Sequence, residues 1–330
     1  MFNFIEKIFN KKEYLNCELM KNSIHFFHDE IRTCCANAKG PILYPNYNGE
    51  DINWDDFFAI RKKCVENINS RFGESIPDEC KNCYKTHTSM SNSKVPAFEN
   101  IIERVYIQNN MACNAKCYYC TFHDEDKAAR YQVLPLIKQL IEKEILSKKA
   151  YVFLSGGEIT LSTEFEELLE LLVSYLERNV DIATSGIKYS KAIEKAFSER
   201  KLNMLLSLDC GSRETYKKIK GVDAFDTVVS NLKSYTDKTD FAKINTVLKY
   251  IILDDMNDNF EEISKFFEIV KMLGVENVRL DVDTTKYNLN DFKTVPSHYK
   301  ELYDYFKSKA NELNLTLFSD EQIECILNGK

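Results

Sequence analysis

The sequence carries no excess of positive charge. Its 44 Lys and Arg residues are outnumbered by 51 Asp and Glu, giving a net charge of -7 over 330 residues without a strongly basic block. Duplex nucleic acid is held through its phosphates, so it is not an expected partner. Long apolar runs are also missing. Glu6, Lys7, Lys11, Lys12 and Glu13 interrupt the apolar residues of Met1 to Leu15, so that stretch lacks a signal-peptide core, and no later run approaches a membrane span. A cytoplasmic location with no membrane partner is the expectation. Cysteine is scarce over the last two-thirds of the chain: of eleven, nine precede Phe122 and only Cys210 and Cys325 follow it. A cytosolic chain is not expected to use them as a disulfide framework, and the lopsided placement points to metal centres in the first third.

What is present concentrates in two short stretches. Cys113-Asn-Ala-Lys-Cys117-Tyr-Tyr-Cys120 sets three cysteines within one tight loop. Thiolates are soft ligands suited to iron-sulfur clusters or zinc, and three rather than four leave one metal position open for a reactant. Further on, Ser155-Gly-Gly-Glu158 follows the apolar segment Ala150 to Leu154. Two glycines let a backbone approach a ligand closely, and a carboxylate there can receive an ammonium group.

Cys-x3-Cys-x2-Cys with an aromatic residue, Tyr119, before the last cysteine resembles the signature of radical S-adenosylmethionine (radical SAM) enzymes. The Gly-Gly-Glu segment resembles that family's element for the methionine amino group. The resemblance implies a 4Fe-4S cluster on Cys113, Cys117 and Cys120, with its fourth iron chelated by S-adenosylmethionine. One electron then cleaves the sulfonium to a 5'-deoxyadenosyl radical, which abstracts hydrogen from a substrate C-H bond. It also implies cofactor contacts from Gly156, Gly157 and Glu158, from Ser185 and Ser207 to the ribose and methionyl portions, and from Tyr119 near the adenine. An external one-electron donor such as flavodoxin or ferredoxin would feed the cluster.

Other residues carry two readings each. Lys249 neutralises the cofactor carboxylate or is a solvated strand lysine. Arg279 and Asp281 share one strand face by the period-two rule, as a clamp on cofactor or substrate or as a buried ion pair. Asp209 contacts cofactor or substrate. Cys210 is either a hydrogen-atom donor, which would make the reaction an epimerisation, or a small residue in the turn before Gly211.

Along the chain, residues 1–95 read as a small cysteine-rich α+β domain. Ser23 to His28 is a possible strand, and Trp54 begins a helix running through Cys64 to Phe72. Cys17, Cys35, Cys80 and Cys83 are candidate ligands of a second centre, with Cys34 able to replace Cys35. This arrangement resembles the SPASM domain, which binds an auxiliary 4Fe-4S cluster, although that domain ordinarily follows the barrel; a structural zinc is the other reading. Cys64 reads as a buried small hydrophobe, and His25 and His28 as satisfied core or surface residues.

After a polar linker, Thr86 to Lys94, strands and helices alternate, which implies parallel strands with crossovers. Strands are expected at Arg104–Gln108, Ala150–Leu154, Asp181–Thr184, Met204–Leu208, Asn245–Ile252 and Asn277–Val282. Helices are expected at Pro135–Leu146, after a Thr163/Glu166 capping box, from Ile263 to Leu273, and at His298–Asn311. Six units are too few for a closed eight-stranded barrel. The fold class is therefore α/β, a partial (β/α)6 TIM-like barrel over 96–290 with a C-terminal extension over 291–330.

The leading functional reading is a radical SAM oxidoreductase or epimerase acting on a small metabolite or sugar, with the auxiliary cluster transferring electrons. The alternatives are a peptide-modifying maturase, an activase of a partner enzyme, and a non-catalytic metal-binding interaction protein.

Overall fold

The computed structural model describes residues 14–15, 17–34, 41–71, 90–91, 100–121, 129–287 and 295–319. Phe2, Phe4, Ile5 and Phe9 suggest a short surface helix and Glu321–Leu327 a final helical turn; these, with the Cys80–Cys83 turn and Cys35, lie outside the described residues. Two compact units emerge: residues 1–109 with 129–152, and residues 110–128 with 153–330.

The first unit begins with a short antiparallel pair, Tyr14–Leu15 against Met90–Ser91. Its main elements are α1 (Glu18–Asn22), β1 (Ser23–Phe27), β2 (Glu30–Arg32), β3 (Ile42–Tyr44), α2 (Trp54–Arg71), β4 (Ile102–Gln108), α3 (Leu134–Glu142) and β5 (Leu146–Leu154). The last two residues of β5 belong to the second unit. β1, β2 and β3 form an antiparallel meander, while β1 also runs parallel to β4, with Ser23 opposite Arg104 and Phe27 opposite Gln108. α2 buries Trp54, Phe57, Phe58, Val65 and Ile68, the helical spacing of one apolar face. The indole of Trp54 donates to Gln139 Oε1 at 3.1 Å.

The helix expected over Pro135–Leu146 stops at Glu142. Lys143 closes it, Glu144 takes φ +56°, and the chain turns directly into β5 at Leu146. The Ile145 amide returns to the Leu140 carbonyl, and the Ile145 carbonyl accepts from the Ile102 amide, so this apolar residue serves the reversal and not the helix face.

The second unit continues from the end of β5 with α4 (Phe165–Tyr175), β6 (Val180–Thr184), α5 (Lys191–Ser198), β7 (Leu202–Ser207), α6 (Arg213–Lys220), α7 (Phe225–Thr236), α8 (Asp240–Asn245), β8 (Thr246–Ile252), α9 (Phe260–Leu273), β9 (Asn277–Val282), α10 (His298–Glu312) and β10 (Thr316–Ser319). Its strands lie in the order β5, β6, β7, β8, β9, β10, every neighbouring pair parallel. Counted from β4 to β9, strand and helix alternate as in the partial (β/α)6 barrel expected from the sequence.

On β7, Leu202, Met204 and Leu206 are buried, while Asn203, Leu205 and Ser207 alternate to the other face. On β9, Val278, Leu280 and Val282 are buried, and Asn277, Arg279 and Asp281 share the other side. Tyr250, Phe266, Phe267 and Phe306 form an aromatic knot between strand and helices, with ring centroids 4.7 to 5.8 Å apart.

The capping box proposed on Thr163 and Glu166 does not form. α4 starts at Phe165 behind Glu164, with no side-chain cap. A short 3-10 turn, Ile159–Leu161, precedes it, and that turn is capped by Glu158, which accepts from the Thr160 amide. The carboxylate that the sequence offered to a ligand thus also caps this turn.

His25 is the core histidine that its neighbours foreshadowed. It is buried on β1, with Nε2 2.8 Å from Gln108 Oε1 and Nδ1 3.4 Å from the Cys34 carbonyl. Burial, chiefly, lowers its pKa from 6.5 to about 4. Folded protein therefore keeps it neutral in a window where the unfolded chain protonates it. Stability is expected to fall as pH drops from about 6.5 toward about 4 and to level off below. Urea midpoints across that range should show the slope, and His25→Gln should flatten it.

Candidate active site

The site is built on the loop that follows β4, and its shape is set by two backbone seams within the second unit. At the first, the Gly157 amide donates to the Asn110 carbonyl at 3.0 Å and the Glu158 amide to the Ala112 carbonyl at 2.8 Å. A Cβ at Gly157 would lie 2.4 Å from the carbonyl oxygens of both Met111 and Ala112, so only glycine permits this approach. At the second, Lys116 and Tyr118 donate their amides to the carbonyls of Lys220 and Ile219, both at 2.8 Å. Those acceptors are among the last carbonyls of α6, which a helix leaves without internal partners. Gly221 ends α6 at φ +66°, and a Cβ there would meet the Lys116 carbonyl at 2.9 Å.

Held this way, Cys113, Cys117 and Cys120 line one cavity of about 300 Å³. Gly156 and Gly157, Ser185, Ser207, Tyr119 and Lys220 complete the parts of its wall that bear on chemistry. The Cys113 sulfur accepts the Ala115 amide at 3.4 Å, and the Cys120 amide closes a turn on the Cys117 carbonyl at 3.0 Å. Burial raises the Cys117 thiol pKa, Lys220 works against that shift, and Asp209, Cys113 and Cys120 add to it.

Glu158 is fully buried. Its Oε1 accepts from the Thr160 amide at 3.1 Å, the Thr160 hydroxyl at 2.7 Å and the Thr184 hydroxyl at 2.8 Å. Its Oε2 accepts from the Ser185 amide at 2.6 Å. The carboxylate therefore ties the Gly-Gly turn to the end of β6. The Ser185 hydroxyl donates in turn to Asn114 Oδ1 at 3.2 Å, which brings the cysteine loop to the same point.

Asp209 is fully buried at φ +62°. It pairs with Lys220, accepts the Tyr119 hydroxyl at 2.6 Å, and accepts the Ile251 amide at 3.0 Å. These partners tie it into a network inside the protein, and it is not among the residues lining the cavity. Cys210 is also fully buried, with Sγ 3.4 Å from the Leu208 carbonyl, and burial pushes its thiol pKa far up. Its surroundings are those of the small turn residue, the plainer of its two readings.

Lys249 and Arg279 are register neighbours, with Ser207 opposite Lys249 on the other side. Arg279 Nε donates to both Asp281 oxygens, at 3.1 and 2.9 Å, and Lys249 Nζ lies 3.9 Å from Asp281. Arg279 and Asp281 thus form the ion pair that was one of their two readings. Gln108 faces His25, whereas Asn110 meets the Gly-Gly turn through its carbonyl.

In the first unit, Cys17 and Cys34 are buried in one apolar cluster with Leu19, Met20, Val65 and Ile68, and Cys64 packs against it. Cys35, Cys80 and Cys83 lie outside the described residues. Among the described residues, no group of three His, Cys, Asp or Glu is arranged as ligands of a single metal ion.

The decisive comparison is with the family model of the Radical SAM superfamily, which matches residues 111–267. The matched segment is a little under half of the chain, and it takes in the cysteine loop, the Gly-Gly-Glu turn, β6 to β8 and most of α9.

Among curated proteins, the chain is similar to a probable GTP 3',8-cyclase of Saccharolobus islandicus, 30% identical over 190 residues, covering 56% of this chain and 58% of that one. A probable GTP 3',8-cyclase of Pyrococcus horikoshii is 23% identical over 221 residues, covering 66% and 68%. The chain therefore spans little more than half the length of the Saccharolobus relative. Among solved structures, Streptococcus suis SuiB bound to S-adenosylmethionine aligns with a TM-score of 0.54 and 13% identity, over 82% of this chain and 57% of that one. SuiB bound to precursor peptide SuiA aligns at 0.50 and 15%, over 84% and 57%. At these identities the likeness is one of fold.

The match to the Radical SAM superfamily model implies an iron-sulfur cluster and S-adenosylmethionine, and the cavity's residues fit both. Cys113, Cys117 and Cys120 share one cavity, as the ligands of a single cluster must. The bare glycine backbone and two serine hydroxyls beside them suit a polar cofactor.

Lys220 was not foreseen. It is the last of three lysines in α6, and only its position before the helix-ending Gly221 sets it apart. Asn114 was also missed, because an asparagine between ligating cysteines reads as ordinary turn chemistry.

Gly157→Ala is expected to force the cysteine loop off the turn. Iron uptake after anaerobic reconstitution should fall several-fold while the far-UV spectrum is retained. Uptake equal to that of the parent protein would show that the loop does not depend on this contact.

Proposed function

We propose that the chain is a radical SAM enzyme that abstracts hydrogen from a substrate C-H bond, and that the substrate is a peptide. The observation that carries the first part is the meeting of Cys113, Cys117, Cys120 and the Gly156-Gly157 turn on one cavity. In this reading the three cysteines hold a 4Fe-4S cluster. Gly156, Gly157, Ser185 and Ser207 line the place of S-adenosylmethionine, with Glu158 as the carboxylate for its ammonium group. Together, cluster and cofactor when bound supply a 5'-deoxyadenosyl radical.

The chain's own task is positional. Glu158 fixes the Ser185 amide, Thr184 and the turn as one piece, so that the groups facing the cofactor do not need to reorganise when it binds. Tyr119 packs at the base of the loop. Lys249, Arg279 and Asp281 form a charged group on the strand face that carries Ser207, and we assign them to the substrate side.

The peptide assignment is supported by the breadth of the likeness to SuiB, over 82 to 84% of the chain, and by SuiB's binding of a precursor peptide. A second reading, a nucleotide or other small metabolite, is favoured by the 30% identity to a probable GTP 3',8-cyclase over 190 residues. An auxiliary cluster on Cys17, Cys35 or Cys34, Cys80 and Cys83, and a flavodoxin or ferredoxin as electron donor, complete the proposal.

Anaerobically reconstituted protein is expected to bind at least about four irons and, once reduced, to release 5'-deoxyadenosine from S-adenosylmethionine. Replacing Cys113, Cys117 or Cys120 by Ala should abolish that release. Deuterium moving into 5'-deoxyadenosine from a labelled peptide encoded beside the gene would support the peptide, and from labelled GTP the second reading. Iron uptake without any cleavage of S-adenosylmethionine under strong reductant would refute the enzyme.

A further inference from the structure

We propose that Asp209, Lys220 and Tyr119 form a charge-balanced anchor that positions the cysteine loop and fixes the electrostatic field at its thiols. The inference rests on the reading that Cys113, Cys117 and Cys120 hold a cluster.

Tyr119 stands between two of those cysteines in sequence, and its hydroxyl is held at both ends. It donates to Asp209 Oδ2 at 2.6 Å and accepts from Lys220 Nζ at 2.7 Å. Asp209 and Lys220 pair directly, with side chains 0% and 3% exposed. Each member is fastened to a different element. Lys220 is the last residue of α6, the helix whose terminal carbonyls take the Lys116 and Tyr118 amides. Asp209 follows β7 and is clamped to β8 and the loop after it. Its carboxylate accepts the Ile251 amide at 3.0 Å, and its carbonyl accepts Asn257 Nδ2 at 2.6 Å. The anchor thus grips the cysteine loop by side chain while α6 grips it by backbone.

Lys220 and Tyr119 line the same cavity as the three cysteines. A full charge at that depth is felt strongly, because little water screens it. As a pair, Asp209 and Lys220 nearly cancel. The arrangement costs desolvation that a neutral pair would avoid, so its retention calls for a role beyond stability. Holding the loop with no net charge gives that role.

Balance makes a prediction that a purely structural contact does not. A buried positive charge favours the reduced, more negative cluster, and a buried negative charge the oxidised one. Asp209→Asn leaves Lys220 uncompensated and should raise the cluster's midpoint potential. Lys220→Met leaves Asp209 uncompensated and should lower it. The double variant, neutral at both positions, should return close to the parent value and is expected to fold even where a single variant does not. Tyr119→Phe keeps both charges and should leave the potential nearest the parent's, while iron is lost to a chelator several-fold faster.

Potentials would be read by anaerobic redox titration with electron paramagnetic resonance, on protein whose melting confirms folding. Shifts of opposite sign in the single variants would support the anchor, as would, where only one single variant folds, its displacement in the stated direction with a parent-like double. Shifts of one sign, unchanged potentials, or a double as displaced as the singles would overturn it. Parent protein that takes up no iron would instead overturn the enzyme reading, and this inference with it.

Discussion

Gly157 lies with its backbone against the carbonyls of Met111 and Ala112, and the arrangement of the site depends on that approach. Two amides, of Gly157 and Glu158, are paid out to the cysteine loop. Any side chain at Gly157 would occupy the space of the two carbonyl oxygens. Backbone amides buried away from water need partners, so the loop and the turn satisfy one another. The consequence is that a segment without regular secondary structure acquires a fixed position beside the strand ends. α6 repeats the device on the other side of the loop, lending its unpaired terminal carbonyls to Lys116 and Tyr118.

Around these seams, two acids are removed from solvent altogether, and they are handled differently. Glu158 is surrounded by neutral donors: one amide and two hydroxyls on one oxygen, another amide on the other. Asp209 is met by a cation, a phenol and an amide. A buried carboxylate is tolerable when its oxygens are hydrogen-bonded, and each oxygen of both is. The first leaves a negative charge near the Gly-Gly turn; the second cancels its own. The fold thus sets one buried acid among neutral donors and the other beside a cation. For Lys220, burial opposes the charge while Asp209 and Cys117 favour it, and the balance leaves its pKa above that of a free lysine.

The charged row on the strand face behaves in a third way. Asp281 takes both contacts from Arg279 and lies within reach of Lys249, so two cations share one carboxylate. Lys249 is the register neighbour of Ser207, and Ser207 is on the cavity wall. The polar face of the parallel strands therefore runs from the cavity into this row without an apolar break at β8.

Strand positions from β4 to β9, the parallel class and the three-cysteine loop with its Gly-Gly-Glu companion were legible in the sequence. Period-two burial and the helix-stopping glycine at 274 are local signals, written over a few residues each. The end of α3, the failed capping box and the grouping of 129–152 with the first unit were not legible, because each depends on residues brought from elsewhere. The same holds for Asp209 and Lys220. In sequence they are an acid after a strand and one lysine of three, and only the fold buries them together. The sequence by itself determined which side chains can bind a metal, since that follows from their chemistry. Tertiary structure alone decided which charges face the cavity and which face each other, since pairing is a matter of distance through space.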